Sequence, residues 1–323
     1  MEYVIASSVG TDNICLADGT RMDGLPGGAG IYALAGIRLW TPHVAVAGGV
    51  SREYVERHGG WYRENGLSME GLVVRSSVDA VSCVDYRQED DRTDQPDMGL
   101  WEFRKLDPDL EEVGRLCGDD TKGIYFFKHL DREFLSGMAQ IRERYGCRTL
   151  WEISEDAAIP EHLEEIEYYL EKTDLFSINR YEASVLYGTH DMEEICRRME
   201  GYRCAVFFRQ GSRGAYMIAN KRTVFCPSVA GLQVVDPTGG GNSSSAAVLY
   251  AWSQGLSPAW CGAMGAASAS VILEQFGPPR RFEPEAAQRA RRRWEGLTAG
   301  YTAQDTSSEA GGDVILEGNE GVI

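Results

Sequence analysis

Positive charge is scarce in this sequence: 32 Lys and Arg stand against 49 Asp and Glu, a formal net charge of -17 over 323 residues. That balance repels the phosphate backbone of nucleic acids and anionic lipid, so neither is an expected partner. Long apolar runs are missing as well. The uncharged stretch Ala259 to Leu273 has 15 residues, many of them Ala, Gly and Ser, short of the roughly 20 that a spanning helix needs. The start, Met-Glu-Tyr-Val-Ile, lacks a basic segment followed by an apolar run and a small-residue cleavage site, and a cytoplasmic location is expected. The eight cysteines (15, 83, 117, 147, 196, 204, 226, 261) form no Cys-x-x-Cys pair, and the five histidines (43, 58, 129, 162, 190) are dispersed. Zinc and a nucleophile-histidine pair are therefore not indicated, and mostly buried thiols in a reducing compartment are expected.

What the sequence does have is enough apolar material, 43% of its residues, for a sizeable core. The first 125 residues read as strand-rich, with apolar runs at Tyr3 to Ser8, Val44 to Val50, Leu72 to Arg75, Ala80 to Tyr86 and Leu100 to Phe103. From Gly123 the pattern alternates. Strands at 124–127, 149–153, 175–178 and 205–208 are separated by helical segments at 132–144, 161–172, 181–187 and 192–199, the mark of parallel βαβ units. Short strands at 215–218 and 223–226 precede helices at 243–253, 260–274 and 283–295. The expected fold is α/β, an open and mostly parallel sheet flanked by helices. Gln88 to Asp97 reads as an exposed acidic loop, and Thr302 to Ile323, with five acids and no basic residue, as a disordered tail.

The informative chemistry lies in Val234-Val-Asp-Pro-Thr-Gly-Gly-Gly-Asn-Ser243. An apolar segment runs into three glycines and then a small-residue helix, which exposes backbone N–H groups at a helix N-terminus and favours an anion. Glycine suits the place because a side chain would hold a phosphate away from those amides. The Gly-Lys-Ser/Thr ending of a Walker A loop is absent, and Gly27-Gly-Ala-Gly30 does not extend to a dinucleotide-binding fingerprint.

On these residues the chain resembles the PfkB (ribokinase-like) carbohydrate kinases, whose signature near the C-terminus reads Asp-Thr-x-Gly-Ala-Gly-Asp. Three further stretches agree in order. Leu25-Pro-Gly-Gly-Ala-Gly-Ile-Tyr-Ala is similar to the family's first signature, Asn179 and Glu182 match its Asn-x-x-Glu motif, and Phe207 to Tyr216 looks like the strand and Gly-x-x-Gly turn bordering the nucleotide. The resemblance covers about residues 1–298 and implies a ribokinase-like α/β domain with a small β lid (strands within about 10–25 and 78–105), leaving 299–323 as the tail. It implies ATP and Mg²⁺ as cofactors and a sugar or sugar-like alcohol as substrate. Asp12, Gly27, Gly28 and Tyr32 would bind the acceptor. Asn179, Arg209, Gly211, Gly214 and Thr238 would border the nucleotide, Glu182 would hold the metal through water, and Gly239, Gly240 and Gly241 would receive the transferred phosphoryl group.

Two positions depart from the family pattern. Tyr32 stands where the first signature usually has Asn, and Asn242 stands where the family has its catalytic Asp; a carboxamide cannot accept the proton of an attacking hydroxyl. The nearest carboxylate in sequence is Asp236. Asp-Pro-Thr-Gly-Gly-Gly-Asn, with the Leu150-Trp-Glu152 strand end, looks like a divergent branch that includes fungal Mak-type proteins. Two functions stay open: a phosphotransferase slowed by Asn242, for which Asn242→Asp would raise turnover, or a non-catalytic nucleotide or sugar sensor on the same scaffold. A homodimer through the lid strands is a further expectation from the family, opposed by the acidic charge at that edge.

Overall fold

From Gly123 onward strand and helix alternate because apolar residues recur first with period two and then with helical spacing, and that alternation winds most of the chain around one sheet. The structure, a computed structural model, describes residues 1–88 and 91–301, with side chains outside 87–95. Its strands are β1 (Tyr3–Ala6), β2 (Gly10–Cys15), β3 (Arg21–Gly27), β4 (Val44–Ser51), β5 (Leu72–Ser76), β6 (Val81–Gln88), β7 (Asp91–Pro96), β8 (Gly123–Lys128), β9 (Arg148–Ile153), β10 (Leu175–Asn179), β11 (Ala205–Arg209), β12 (Gly214–Ala219) and β13 (Arg222–Pro227). Its helices are α1 (Ala29–Arg38), α2 (Arg52–Glu64), α3 (Leu100–Arg104), α4 (Leu110–Leu116), α5 (Arg132–Tyr145), α6 (Leu163–Leu170), α7 (Arg180–Tyr187), α8 (Met192–Met199), α9 (Gly240–Ser253), α10 (Pro258–Ile272) and α11 (Pro284–Thr298).

Nine strands form the main sheet in the order β13-β12-β11-β10-β9-β8-β1-β4-β5, parallel except at β11-β12-β13. The expected open α/β sheet is what the chain builds. Both faces are covered, so β1 and β4 are buried along their whole length, as strands inside a parallel sheet must be. Alternate residues serve opposite layers. Val4, Ala6, Phe126, Trp151, Phe176 and Phe208 face one core, which also takes in residues of α4 to α8. Tyr3, Ile5, Tyr125, Leu150, Leu175 and Phe207 face the other, shared with α1, α2, α9 and α10. Each large side chain so buried contributes about 1.5–3 kcal/mol.

The helices on the second face owe their closeness to small residues. A Cβ on Gly36 of α1 would overlap the carbonyl oxygen of Ser243 in α9, so the two backbones touch there. On the first face, capping marks the boundaries. Asp131 accepts from the Phe134 amide at the start of α5, and Gly146 ends it in the left-handed conformation.

A smaller sheet, β3-β2-β6-β7, lies apart from the main one. It occupies the segments expected for the lid, and its apolar residues Ile14, Val84 and Tyr86 pack with Leu25 and with Phe276. Two local expectations fail. Residues 91–96 of the acidic segment are a strand paired with β6 rather than a loop. Leu100–Arg104 is a helix entered through Gly99 in a positive-φ conformation, not a strand. The first 125 residues are strand-rich as expected, with β1 to β7 and the start of β8, and among the described residues they also carry α1 to α4. The tail from Thr302 lies outside the described residues. No helix among them is long and apolar enough to cross a membrane, no disulfide joins the cysteines, and Cys147, Cys196, Cys204, Cys226 and Cys261 are buried.

Candidate active site

Along the strands that face α9, the side chains turn from apolar to polar at the carboxyl end. β9 runs Leu150 then Glu152, β10 runs Leu175, Ser177, Asn179, and β11 runs Ala205, Phe207, Arg209. Register brings those ends level: Ser177 lies beside Glu152 and Asn179 beside Arg209. A row of polar groups at the carboxyl edge of a parallel sheet is where open α/β folds place their ligands.

Helix α9 points its N-terminus into this row. Gly239 is its N-cap, at φ 77° and ψ -1°, with no side-chain cap and no acidic residue in the first turn. The first-turn amides are thus left to an outside acceptor. Glycine at 239 is required twice over, by that left-handed conformation and because a Cβ would overlap the ring of Tyr32. At 241 the obstacle is different: a Cβ would meet the guanidinium of Arg209. Asp236 braces the turn from below, accepting from the Thr238 amide at 2.9 Å and the Gly277 amide at 3.0 Å.

Asn242 follows the glycines, and a carboxylate does stand next to it, though not the one nearest in sequence. Its Nδ2 donates to Glu152 Oε1 at 3.1 Å and to Tyr125 Oη at 3.2 Å. The Tyr125 hydroxyl in turn donates to Glu152 Oε2 at 2.9 Å. Arg209 completes the group, its Nη2 3.0 Å from Glu152 Oε1 and 3.8 Å from Glu182 Oε2. Glu152 is 2% exposed. Burial, followed by the charge of Glu152, holds the Tyr125 phenol well above its ordinary range.

Asn179 and Glu182 are brought together in a capping box for α7. Asn179 Oδ1 accepts from the Glu182 amide at 2.9 Å, and Glu182 Oε2 accepts from the Asn179 amide at 2.8 Å. The Asn-x-x-Glu spacing therefore has a purely structural use, worth about 1 kcal/mol. Glu182 carries more than a cap requires. Burial pushes its carboxyl up to about 7, against the pull of Arg209. Two acids share one guanidinium here, which leaves room for another positive charge. No cluster of three or more His, Cys, Asp or Glu among the described residues could hold a metal unaided.

On the opposite side, Asp12 of β2 lies against the turn into α1. Its Oδ1 accepts from the Gly28 amide at 3.2 Å, and a Cβ on Gly27 would overlap its carboxyl group. Tyr32 follows in the first turn of α1, 2% exposed, and its phenol is pushed well up by burial, then by the nearby charges of Asp12 and Asp236. With its ring on Gly239, Tyr32 spans the two sides. The lid reaches the same turn: Tyr86 of β6 and Thr238 pair their hydroxyls at 3.0 Å.

Of the residues singled out from the sequence, Asp12, Gly27, Gly28 and Tyr32 gather at the turn into α1. Asn179, Glu182, Arg209, Thr238, Gly239, Gly240, Gly241 and Asn242 gather around α9. Gly211 and Gly214 lie beyond Arg209 in the turn to β12, where Gln210 donates to the Gly214 carbonyl and a Cβ on Gly214 would overlap the Cys226 carbonyl oxygen. Sheet pairing alone accounts for Gly214. Sequence reasoning missed Glu152, Tyr125 and Tyr86 as site residues; a charged residue closing the apolar run Thr149 to Ile153 was the available signal.

A helix N-terminus of glycines set over the polar edge of a parallel sheet, under a four-stranded lid, defines the architecture of ribokinase-like proteins. The family profile for pfkB family carbohydrate kinases matches residues 120–283, and the chain belongs to that family. The fold is similar to a probable sugar kinase from Rhizobium etli (TM-score 0.75, 20% identity, 92% of this chain and 98% of that one). It is also similar to adenosine kinase from Sinorhizobium meliloti (TM-score 0.73, 19% identity, 90% and 98%), and to Arabidopsis thaliana ribokinase complexed with ribose and ATP (TM-score 0.68, 18% identity, 89% and 97%). A nucleoside kinase of Methanocaldococcus jannaschii is 30% identical over 111 residues, which is 33% of this chain and 35% of that protein. The match thus spans about a third of that curated relative.

Proposed function

We propose that the protein transfers the γ-phosphate of ATP to a hydroxyl group of a sugar or nucleoside. The observation that carries this is the Gly239–Gly241 turn, whose amides open at the start of α9 between Arg209 and Glu182 on one side and Asp12 on the other. Asp12 and the Gly28 backbone bind acceptor hydroxyls, Tyr32 forms the floor between acceptor and phosphate, and the α9 amides receive the transferred group. The acceptor oxygen forms a bond to phosphorus while the bond from phosphorus to the bridging oxygen breaks; ADP leaves with that electron pair, and the hydroxyl proton passes to a phosphate oxygen or to water. Such a reaction draws mainly on positioning and charge stabilisation, and Arg209, with its guanidinium over Gly241, is the cation of this chain placed to supply it. Asn242 orients the hydroxyl.

A magnesium ion fits the donor set. Glu182 is a hard oxygen ligand with surplus negative charge around it, and a site with so few protein ligands suits an ion that keeps most of its water and phosphate oxygens. When bound, the ion would shield the charge of the phosphates. The acceptor class follows the neighbours, which include an adenosine kinase and a ribokinase bound to ribose.

The test is thermal unfolding with Mg²⁺-ATP and with D-ribose, adenosine and inosine, followed by a turnover assay. A ligand that binds the native state alone raises the transition temperature. A shift with Mg²⁺-ATP and one acceptor, with ADP formed, is expected. Shifts without turnover would make the chain a sensor on this scaffold, and no shift with any of them would overturn the proposal.

A further inference from the structure

Glu152 has three donors and two oxygens, and this decides how Asn242 sits. An ionised carboxylate can only accept, so the branch of the Asn242 amide that faces it must be the NH₂ group. The Tyr125 hydroxyl has already given its proton to Glu152 and can offer Asn242 only a lone pair. Both protons of the amide are thereby committed, one to each partner, and Oδ1 is the branch left for a ligand at the glycine turn. Arg209 meets the same Glu152 oxygen, Oε1, that Asn242 uses.

We propose that Glu152 is the positioning residue of the site, fixing Asn242 so that position 242 presents a neutral hydrogen-bond acceptor, and that the two residues form an obligate carboxylate-amide pair. This rests on the phosphotransferase reading for its catalytic meaning but not for its geometry. An acid at 242 would put two carboxylates within hydrogen-bonding distance in a buried place, where both cannot easily ionise. The groups around them are Tyr125 from β8, Arg209 from β11 and, across Arg209, Glu182 from α7; only one of these is a cation. Asn242 is accordingly what Glu152 demands. The gain expected from Asn242→Asp on sequence grounds should then appear only when Glu152 is neutralised too.

The experiment compares the wild type, Asn242→Asp, Glu152→Gln and the double variant Asn242→Asp/Glu152→Gln. The first readout, thermal unfolding from pH 5 to pH 8, needs no substrate. Asn242→Asp should lose several degrees relative to wild type as pH rises, because the shared proton of the pair is driven off, and the double variant should regain them. A double variant no more stable than Asn242→Asp at pH 8, or an Asn242→Asp protein as stable as wild type throughout, overturns the pairing; an Asn242→Asp chain that fails to fold while the double variant folds supports it. The second readout is turnover of D-ribose, adenosine or inosine with Mg²⁺-ATP. Glu152→Gln should lower kcat with little change in KM for ATP, and the double variant should exceed Asn242→Asp by about 100-fold, the low end of a general-base contribution. The expected stability pattern without turnover in any of the four proteins would uphold the pair and overturn the kinase reading.

Discussion

The two sides of the candidate site are built on different terms. The proposed phosphate side, α9 with β8 to β11, is made of groups that occupy each other: Asn242, Glu152, Tyr125, Arg209 and Glu182 form one chain of hydrogen bonds and ion pairs. The proposed acceptor side sets the Asp12 carboxylate on the Gly28 amide and beside the buried Tyr32 ring, with Asp236 also near that ring. The family profile covers the first side and stops short of the second, since it spans 120–283. Polar networks resist piecemeal change because each loss strands a buried partner. A close-packed ring such as that of Tyr32 resists chiefly changes of volume.

The sharpest way to break this comparison is Tyr32→Asn, which gives the acceptor side the residue type the family resemblance leads one to expect. Losing a ring that is 2% exposed should cost about 3–5 kcal/mol in chemical unfolding, with no gain in turnover. A variant as stable as wild type and faster would show that Tyr32 merely blocks an older site.

On the phosphate side the largest effect is one of pH. Because the folded protein holds the Glu182 carboxyl near 7, above the 4.5 of an unperturbed glutamate, the native state binds the proton more tightly than the unfolded chain. Stability from this group is present below about pH 4.5, declines as pH rises to about 7 and is level beyond, a span on the order of 3 kcal/mol. Glu182→Gln should remove that slope, as urea midpoints at pH 5, 6, 7 and 8 would show; parallel curves for the two proteins would mean that Glu182 ionises as if exposed.

Gly239→Ala tests the seam between the sides. Left-handed backbone and overlap with Tyr32 together should lower stability by about 2–3 kcal/mol, and a Tm within a degree of wild type would contradict the described turn. The smallest change is Tyr86→Phe, which removes the hydroxyl contact to Thr238 and should cost about 1 kcal/mol. It should also weaken acceptor binding severalfold, measured as KM, while leaving nucleotide affinity almost intact.

The fold was legible because alternation from Gly123 onward is a long-range pattern written in short-range spacing. Where the spacing was ambiguous the sequence misled. Leu100 to Phe103 is too short to show a period, and α2, with paired glycines amid charges, hides its buried Tyr54, His58 and Tyr62. In the site, the glycines and the Asn179–Glu182 pair could be read because their partners are neighbours in sequence. Glu152 and Tyr125 could not be read in that way, since they lie 90 and 117 residues from Asn242 and meet it only when β8, β9 and α9 close on each other. Asp236, the nearest carboxylate in sequence though not the base in the family pattern, spends its two oxygens on the Thr238 amide of the turn and on the Gly277 amide beyond α10.

The contact of Gly36 with Ser243 sets a gauge. Helices α1 and α9 begin at Gly28 and Gly239, the two places where acceptor and phosphoryl group would be held, and they touch main chain to main chain partway along their length. The distance between those two starting points is therefore a backbone dimension, beyond the reach of rotamer changes. A bulkier acceptor would have to find its space outward, under β2 and β6, because the jaws themselves do not widen.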